Sequence, residues 1–218
     1  LSGKMHFVGA DQLHGCESRL TADIYPADFA WTPRWEAQAV VNPRGTPKVR
    51  LVLDARVQAS PAQMGYDDRV QEASLAFLRS HHQVPASQRR PFFLCVSFSN
   101  PHGPYQVPRE LWDLYADVPI TLPEIPDDLA AHESAMDRWI NVFHGVDKVN
   151  LRDREALRRF RRIYYGQITY IDRKVGELLD CLRDMGELDR TAVLFTSDHG
   201  DKNRRAVQLS HVPQAIEK

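Results

Sequence analysis

Two side chains that can bind a divalent cation, Asp198 and His199, follow a short apolar segment near the end of the chain. Residues 191–196 are rich in apolar and β-branched side chains, which is typical of a buried strand. Open α/β folds place their sites at the carboxyl edge of the sheet, and a carboxylate beside an imidazole can bind a divalent metal. The alternative interpretation is a Ser-Asp-x-Gly turn that carries a surface histidine.

A further candidate, His102, also follows an apolar run. Residues 92–99 are almost continuously apolar, which predicts a strand buried on both faces. Pro101 and Pro104 then stiffen the backbone on either side of the histidine. A lone histidine of this kind is more often structural, but a second strand with a histidine just past its carboxyl end strengthens the case for a site.

Helices and strands in alternation would position these residues. An apolar stripe predicts a helix over residues 153–185, with Gly166 as a point where it kinks or splits and Gly186 as its C-cap. A second helix is predicted over residues 66–82, with Tyr66-Asp67-Asp68 as its cap. Because a helix precedes a buried strand twice, we expect an α/β sandwich with a mostly parallel central sheet flanked by helices.

The first 35 residues lack helical or strand periodicity, yet they are rich in ionisable and large side chains. Lys4 and His6 lie near the start of this stretch, and Trp31 and Trp35 lie near its end. Such a loop is a candidate site loop. The alternative is a surface excursion whose aromatic side chains cover the core.

Composition narrows the class of protein. A net charge of −1 gives no reason to expect a nucleic acid or an anionic membrane as partner, and no apolar run is long enough to span a bilayer. Cys16, Cys95 and Cys181 are odd in number and widely spaced, which favours free thiols in a reducing, cytoplasmic compartment. The chain starts with Leu1 and has no signal-peptide pattern, so we expect a fragment.

Three motifs together resemble the sulfatase family of the alkaline phosphatase superfamily. They are Gly-Lys-Met-His at residues 3–6, Asn-Pro-His at 100–102 and Thr-Ser-Asp-His-Gly-Asp at 196–201. Residues 3–26 and 164–172 are similar to the choline-sulfatases in particular. The resemblance covers residues 1 to about 201, which predicts a partial sulfatase catalytic domain over 1–201 and a divergent tail over 202–218.

The resemblance implies an alkaline-phosphatase-like fold and a role for each matching residue. Lys4 would contact the sulfate and the nucleophile, and His6 would act as the base that breaks down the sulfated intermediate. His102 would bind near the ester oxygen. Asp198 and His199 would bind a divalent metal, with calcium expected and manganese or magnesium as alternatives.

The chain departs from the family pattern at the nucleophile. The family makes a formylglycine from the cysteine of a Cys-x-Pro-x-Arg motif, which does not occur in this sequence. Cys16 lies in Gly-Cys-Glu-Ser-Arg, which lacks the proline and follows the Lys-x-His motif, so we interpret it as a non-catalytic loop residue. The early pair of aspartates is also absent. We therefore expect a chain that is truncated at both ends and inactive as it stands.

The expected activity of the parent protein is the hydrolysis of a sulfate ester to an alcohol and sulfate. Choline sulfate is the candidate substrate, and Trp31 and Trp35 could offer aromatic faces to its quaternary ammonium, although core packing is the more usual role. The alternatives are a phosphonate monoester hydrolase or phosphodiesterase of the same superfamily, or a non-catalytic remnant. A homo-oligomer is expected for the full-length parent.

Overall fold

The computed structural model describes residues 1–25, 27, 54–122, 127–128, 134–136, 138, 150 and 152–198. Its contacts divide the chain into two compact units. Within the described part, the first unit takes residues 1–25, 27, 60–100 and 168–193, and the second takes the rest. No described helix is both long enough and apolar enough to cross a membrane. Trp31, Trp35, His199 and the tail over 202–218 lie outside the described residues.

The elements for which the described chain gives bounds are short parallel strands, three α-helices and, after the last of these, a 3₁₀-helix at Leu188–Arg190. In chain order the strands and α-helices are β1 (Ser2–Gly3), β2 (Arg56–Val57), α1 (Ala62–Gln83), β3 (Val96–Ser97), β4 (Gln106–Val107), α2 (Arg109–Asp113) and α3 (Arg154–Asp184). The parallel pairs and the helices agree with the α/β class expected from the sequence.

In the first unit, β1 pairs with β3 in parallel, with Ser2 opposite Val96 and Gly3 opposite Ser97. Hydrogen bonds extend the pairing on both sides, since the Ser2 N–H donates to the Cys95 carbonyl (2.8 Å) and the Lys4 N–H donates to the Ser97 carbonyl (3.0 Å). The sequence did not predict β1, because a Ser-Gly pair has no alternation of apolar and polar side chains.

Helix α1 lies against both β1 and β3. It begins four residues before the predicted Tyr66, at Ala62, directly after the extended Pro61. The predicted cap at residues 66–68 is therefore wrong: Asp67 is a buried side chain within the helix. A proline just before a helix already has a suitable backbone angle and lacks an N–H that would need a partner.

Helix α3 is continuous through Gly166, so the helix is not split there. Its end was predicted correctly. Gly186 has a φ of 67°, its N–H donates to the Arg183 carbonyl, and the next N–H donates to the Leu182 carbonyl. This left-handed termination suits glycine because it has no Cβ.

In the second unit, β2 and β4 form another parallel pair, with Val57 opposite Val107. The amino-terminal part of α3 contributes the buried Phe160 and Ile163 to this unit. A Cβ on Gly166 would approach Val107 and Leu111 to 3.2 and 3.3 Å, so a glycine here lets the helix pack closely.

Two predicted buried strands differ from the structure. Only Val96 and Ser97 of the 92–99 run are paired, and Phe93 in that run is 84% exposed. The described residues 191–198 contain no strand, and Leu194 and Phe195 are 88% and 71% exposed. An apolar run becomes a buried strand only where a neighbouring strand pairs with it, and within the described chain 191–196 has no such neighbour.

Candidate functional site

The loop after β1 carries Lys4 and His6, and one carboxylate organises its backbone. Asp23 accepts hydrogen bonds from the N–H groups of Met5 (2.9 Å), His6 (2.8 Å) and Tyr25 (3.1 Å). The His6 backbone has a φ of 59°, a left-handed conformation that is uncommon for a residue other than glycine. Asp23 therefore holds the Lys-x-His segment in a conformation that it would rarely adopt alone.

Arg19 ties this carboxylate to the rest of the loop. Its Nη2 atom donates to Asp23 (3.0 Å) and to the Gly3 carbonyl (3.0 Å), and its Nε atom donates to the Thr21 carbonyl (2.9 Å). The two side chains are only 12% and 5% exposed. Because a guanidinium presents its donors in a planar fork, one arginine here joins strand, loop and carboxylate.

The environment of Asp23 favours its ionised form. Burial alone would raise the pKa of this carboxyl, but the N–H donors of Met5, Tyr25 and His6 together with the Arg19 guanidinium outweigh burial and lower the pKa. The ionised carboxylate is the form that can accept all of these bonds at once.

The two predicted catalytic side chains of this loop share an aromatic neighbour. The His6 ring stacks on the Tyr25 ring, with centroids 4.4 Å apart and planes at 27°. The Lys4 Nζ atom lies 5.5 Å from the centroid of the same ring. The structure thus brings Lys4 and His6 together around Tyr25.

Gly3 sets how closely this loop approaches β3. Its φ is 101°, and a Cβ at this position would lie 1.9 Å from the Ser97 carbonyl oxygen. No other residue fits such a contact with backbone. The glycine of the Gly-Lys-x-His motif is therefore required by the strand pairing that precedes Lys4.

A second buried carboxylate fixes the end of the β3 segment. Asp67 on α1 accepts bonds from the Ser99 N–H (2.7 Å), the Asn100 N–H (2.9 Å) and the Asn100 side-chain amide (2.7 Å). It is fully buried, and burial raises the pKa of this carboxyl despite the three donors. Asp67 thus fixes the backbone of the residues that begin the Asn-Pro-His motif.

His102, in the second unit, is partly buried, and its Nδ1 atom lies 2.7 Å from the Gly103 carbonyl oxygen. Because a carbonyl only accepts, the Nδ1 atom carries the proton and the neutral ring keeps its lone pair on Nε2. This tautomer can accept a proton or a hydrogen bond through Nε2.

The predicted metal ligands are only partly covered by the structure. Asp198 is exposed, and His199 is outside the described residues. Among the residues that the structure does describe, no group of three or more His, Cys, Asp or Glu side chains could hold a metal ion. The described side chains thus do not assemble a divalent-metal site.

Four residues of this site are not predicted from the sequence: Arg19, Asp23, Tyr25 and Asp67. Asp67 was interpreted as part of a helix cap. The Asp23 carboxylate accepts from the N–H two residues ahead, which is an Asx turn that sequence can suggest. Its bonds to Met5 and His6 span 18 and 17 residues and leave no local signal.

The comparisons with known proteins agree with the family that the motifs indicate. The model of the Sulfatase family matches residues 22–214. The choline-sulfatase of Rhizobium meliloti (strain 1021) is 42% identical over an alignment of 207 residues, and the match covers 92% of this chain and 39% of that protein. The arylsulfatase of Clostridium perfringens (strain 13 / Type A) is 40% identical over 114 residues, or 51% of this chain and 22% of that protein.

A third relative is named for the alkaline phosphatase superfamily as a whole. The multifunctional alkaline phosphatase superfamily protein PehA of Trinickia caryophylli is 32% identical over 123 residues, or 52% of this chain and 24% of that protein. The chain spans about two fifths or less of the length of these three relatives. Because the Sulfatase family model matches most of the length of this chain, the chain belongs to the sulfatase family.

Proposed function

We propose that the chain carries part of the active site of a sulfuric ester hydrolase that cleaves a sulfate ester, with choline sulfate as the substrate, into alcohol and sulfate. Membership of the sulfatase family and the similarity to a choline-sulfatase support the proposal. The observation that carries it is the loop after β1, in which Lys4 and His6 lie against one ring on a backbone fixed by Asp23.

Each residue then has a role that its chemistry allows. The Lys4 ammonium offsets the negative charge of the sulfate group, which would otherwise repel a nucleophile. His6 is the base that breaks down the sulfated intermediate, since an imidazole transfers protons near neutral pH. His102 binds near the ester oxygen; because its Nδ1 atom donates to the Gly103 carbonyl, Nε2 can donate to that oxygen only when the ring carries a second proton.

The metal is part of the proposal as well. Asp198 and His199 would bind a divalent cation, calcium first and manganese or magnesium as alternatives, and the cation would offset charge on the sulfate oxygens. The support is the Asp-His pair in the sequence, its resemblance to the family motif, and the match of the family model over residues 22–214, which include the pair.

Further parts of the proposal concern the whole protein. We propose a full α/β sandwich of the alkaline phosphatase type, a sulfatase catalytic domain over 1–201 with a divergent tail over 202–218, a cytoplasmic location and a homo-oligomeric parent. The parallel pairs β1–β3 and β2–β4 support the first of these.

The formylglycine of the family has no counterpart in this sequence, because the Cys-x-Pro-x-Arg motif is absent. Cys16 remains a non-catalytic loop residue in the proposal. We therefore expect the purified chain alone to release no sulfate from choline sulfate, with or without calcium or manganese.

A second candidate is a phosphonate monoester hydrolase or phosphodiesterase. The similarity to the multifunctional alkaline phosphatase superfamily protein PehA supports this candidate, since that relative is 32% identical to this chain over about half of its length. A shared scaffold does not separate the two activities, so both substrates belong in the test.

The test places this chain inside a complete enzyme. In the Rhizobium meliloti choline-sulfatase, the segment of 207 matched residues is replaced by the matched part of this chain. We expect the chimera to release sulfate from choline sulfate and to cleave a phosphonate monoester more slowly. Preference for the phosphonate would favour the second candidate.

Variants of the chimera test the residues. Lys4→Ala, His6→Ala and His102→Ala should each lower kcat by about 100-fold or more, as removal of a general base or a charge-stabilising group does. The control is Arg90→Ala, which removes a cation that is 82% exposed. A folded chimera in which the three variants behave like this control would contradict the proposed roles.

A further inference from the structure

One aromatic ring contacts both side chains of the Lys-x-His segment. Tyr25 stacks on His6 at 4.4 Å and has the Lys4 ammonium 5.5 Å from its centroid. We propose that Tyr25 is a positioning residue that holds Lys4 and His6 on one aromatic surface. This inference rests on the proposed function of Lys4 and His6 as a sulfate-binding and proton-transfer pair.

The contact is anchored in the backbone. The N–H groups of His6 and Tyr25 both donate to the Asp23 carboxylate, at 2.8 and 3.1 Å. His6 is an exposed residue, and an exposed imidazole with no neighbour would exchange among several rotamers. Because one carboxylate fixes both backbones, the Tyr25 ring is in place to select one orientation of the imidazole.

An aromatic partner suits a site for an anion better than an acidic partner does. A carboxylate beside Lys4 would orient the ammonium but would cancel its charge and repel a sulfate ester. The face of a phenol ring attracts a cation through its quadrupole and leaves the full positive charge available. The π-system of the same ring stabilises His6 when the imidazole carries a proton.

The first experiment compares the complete chain with Tyr25→Phe and Tyr25→Leu. The imidazole C–H resonances of His6, recorded by NMR, report a ring-current shift from the stacked ring. We expect Tyr25→Phe to retain the shift and Tyr25→Leu to lose it. The matched control is Phe7→Leu in the same loop, which removes a ring that packs on His14 (4.1 Å) and should leave the His6 resonances in place.

The second readout is the affinity for inorganic sulfate, followed by titration of the same variants. Tyr25→Leu should weaken binding about fivefold, because the cation–π contact of Lys4 and the orientation of the His6 ring are lost. Tyr25→Phe and Phe7→Leu should stay within about twofold of the native chain. If Tyr25→Leu does not fold, Tyr25→Met replaces it, since methionine fills the space without a ring.

The outcomes separate this inference from the proposed function. If Tyr25→Leu retains both the His6 shift and the sulfate affinity, or if Tyr25→Phe is as damaging as Tyr25→Leu, Tyr25 does not position the pair through its ring. If the native chain binds no sulfate, the proposed function of the loop fails, while the His6 resonances still decide whether Tyr25 orients the imidazole.

Discussion

Two runs of this chain share an apolar character but lie in different environments. Residues 92–99 and 191–196 both predict buried strands that end at candidate site residues. In the first run Val96 and Ser97 pair with β1, whereas the described part of the second contains no strand and leaves Leu194 88% exposed. An apolar segment can form a buried strand, but it does so only where another strand pairs with it.

The strand pairing of the first run also positions candidate site residues. The partner of β3 is β1, whose Gly3 approaches the Ser97 carbonyl and leads directly into the loop of Lys4 and His6. Asp67 fixes the other end of the β3 segment through Ser99 and Asn100. Strand pairing and two buried carboxylates together give the first region a defined geometry.

The largest effect is expected from breaking the pairing of the first region. Gly3→Ala should destabilise the chain by about 3 kcal/mol or more, because the new Cβ would meet the Ser97 carbonyl oxygen. Gly9→Ala is the matched control: its φ is 102° against 101° for Gly3, but no atom lies within 4 Å. Gly9→Ala should lower the free energy of unfolding by about 1 kcal/mol. Equal losses in urea unfolding would show that the contact with β3 is unimportant.

A pair of leucine variants compares the two runs directly. Leu94 packs against the core cluster of Leu78, Cys181 and Leu182, whereas Leu194 is 88% exposed. Leu94→Ala should lower the free energy of unfolding by about 2 kcal/mol, and Leu194→Ala should change it by less than about 0.5 kcal/mol. A large loss in Leu194→Ala, measured by urea unfolding, would mean that the second run is buried in solution.

The smallest effect concerns the loop that follows β1, and it depends on pH. The lowered pKa of Asp23 means that the folded chain keeps this carboxylate where the unfolded chain, with its Asp pKa near 3.8, takes up a proton. Its stabilisation is complete above about pH 5 and is lost as the pH falls through the lowered pKa. Asp23→Asn should cost about 1 kcal/mol at pH 6 and flatten the stability profile below about pH 4.

Asp172→Asn is the control for this profile, since it removes an exposed aspartate on α3. It should leave the acid limb of thermal unfolding curves, recorded from pH 6 to pH 3, close to that of the native chain. Parallel profiles for Asp23→Asn and the native chain would show that Asp23 contributes nothing to the acid sensitivity.

Sequence predicted the parts of the fold that depend on local patterns. The stripe of α3 and the glycine that ends it have a period and a cap that can be recognised from residues a few positions apart. It missed β1 and the bonds of Asp23, because these depend on residues that only the fold brings together. The candidate residues Lys4 and His6 lie in a short motif that the sequence shows directly. Tyr25 and Asp23, which contact them, lie about 20 residues further along and belong to no such motif.

The most direct test of the account is the binding of inorganic sulfate to the complete chain, measured by calorimetric titration. Lys4→Ala should abolish measurable binding and His6→Ala should weaken it, while Arg90→Ala, which removes an exposed cation, should bind like the native chain. This result would place the anion at the loop after β1. Equal binding in all four proteins, or equal weakening by Lys4→Ala and Arg90→Ala, would contradict it.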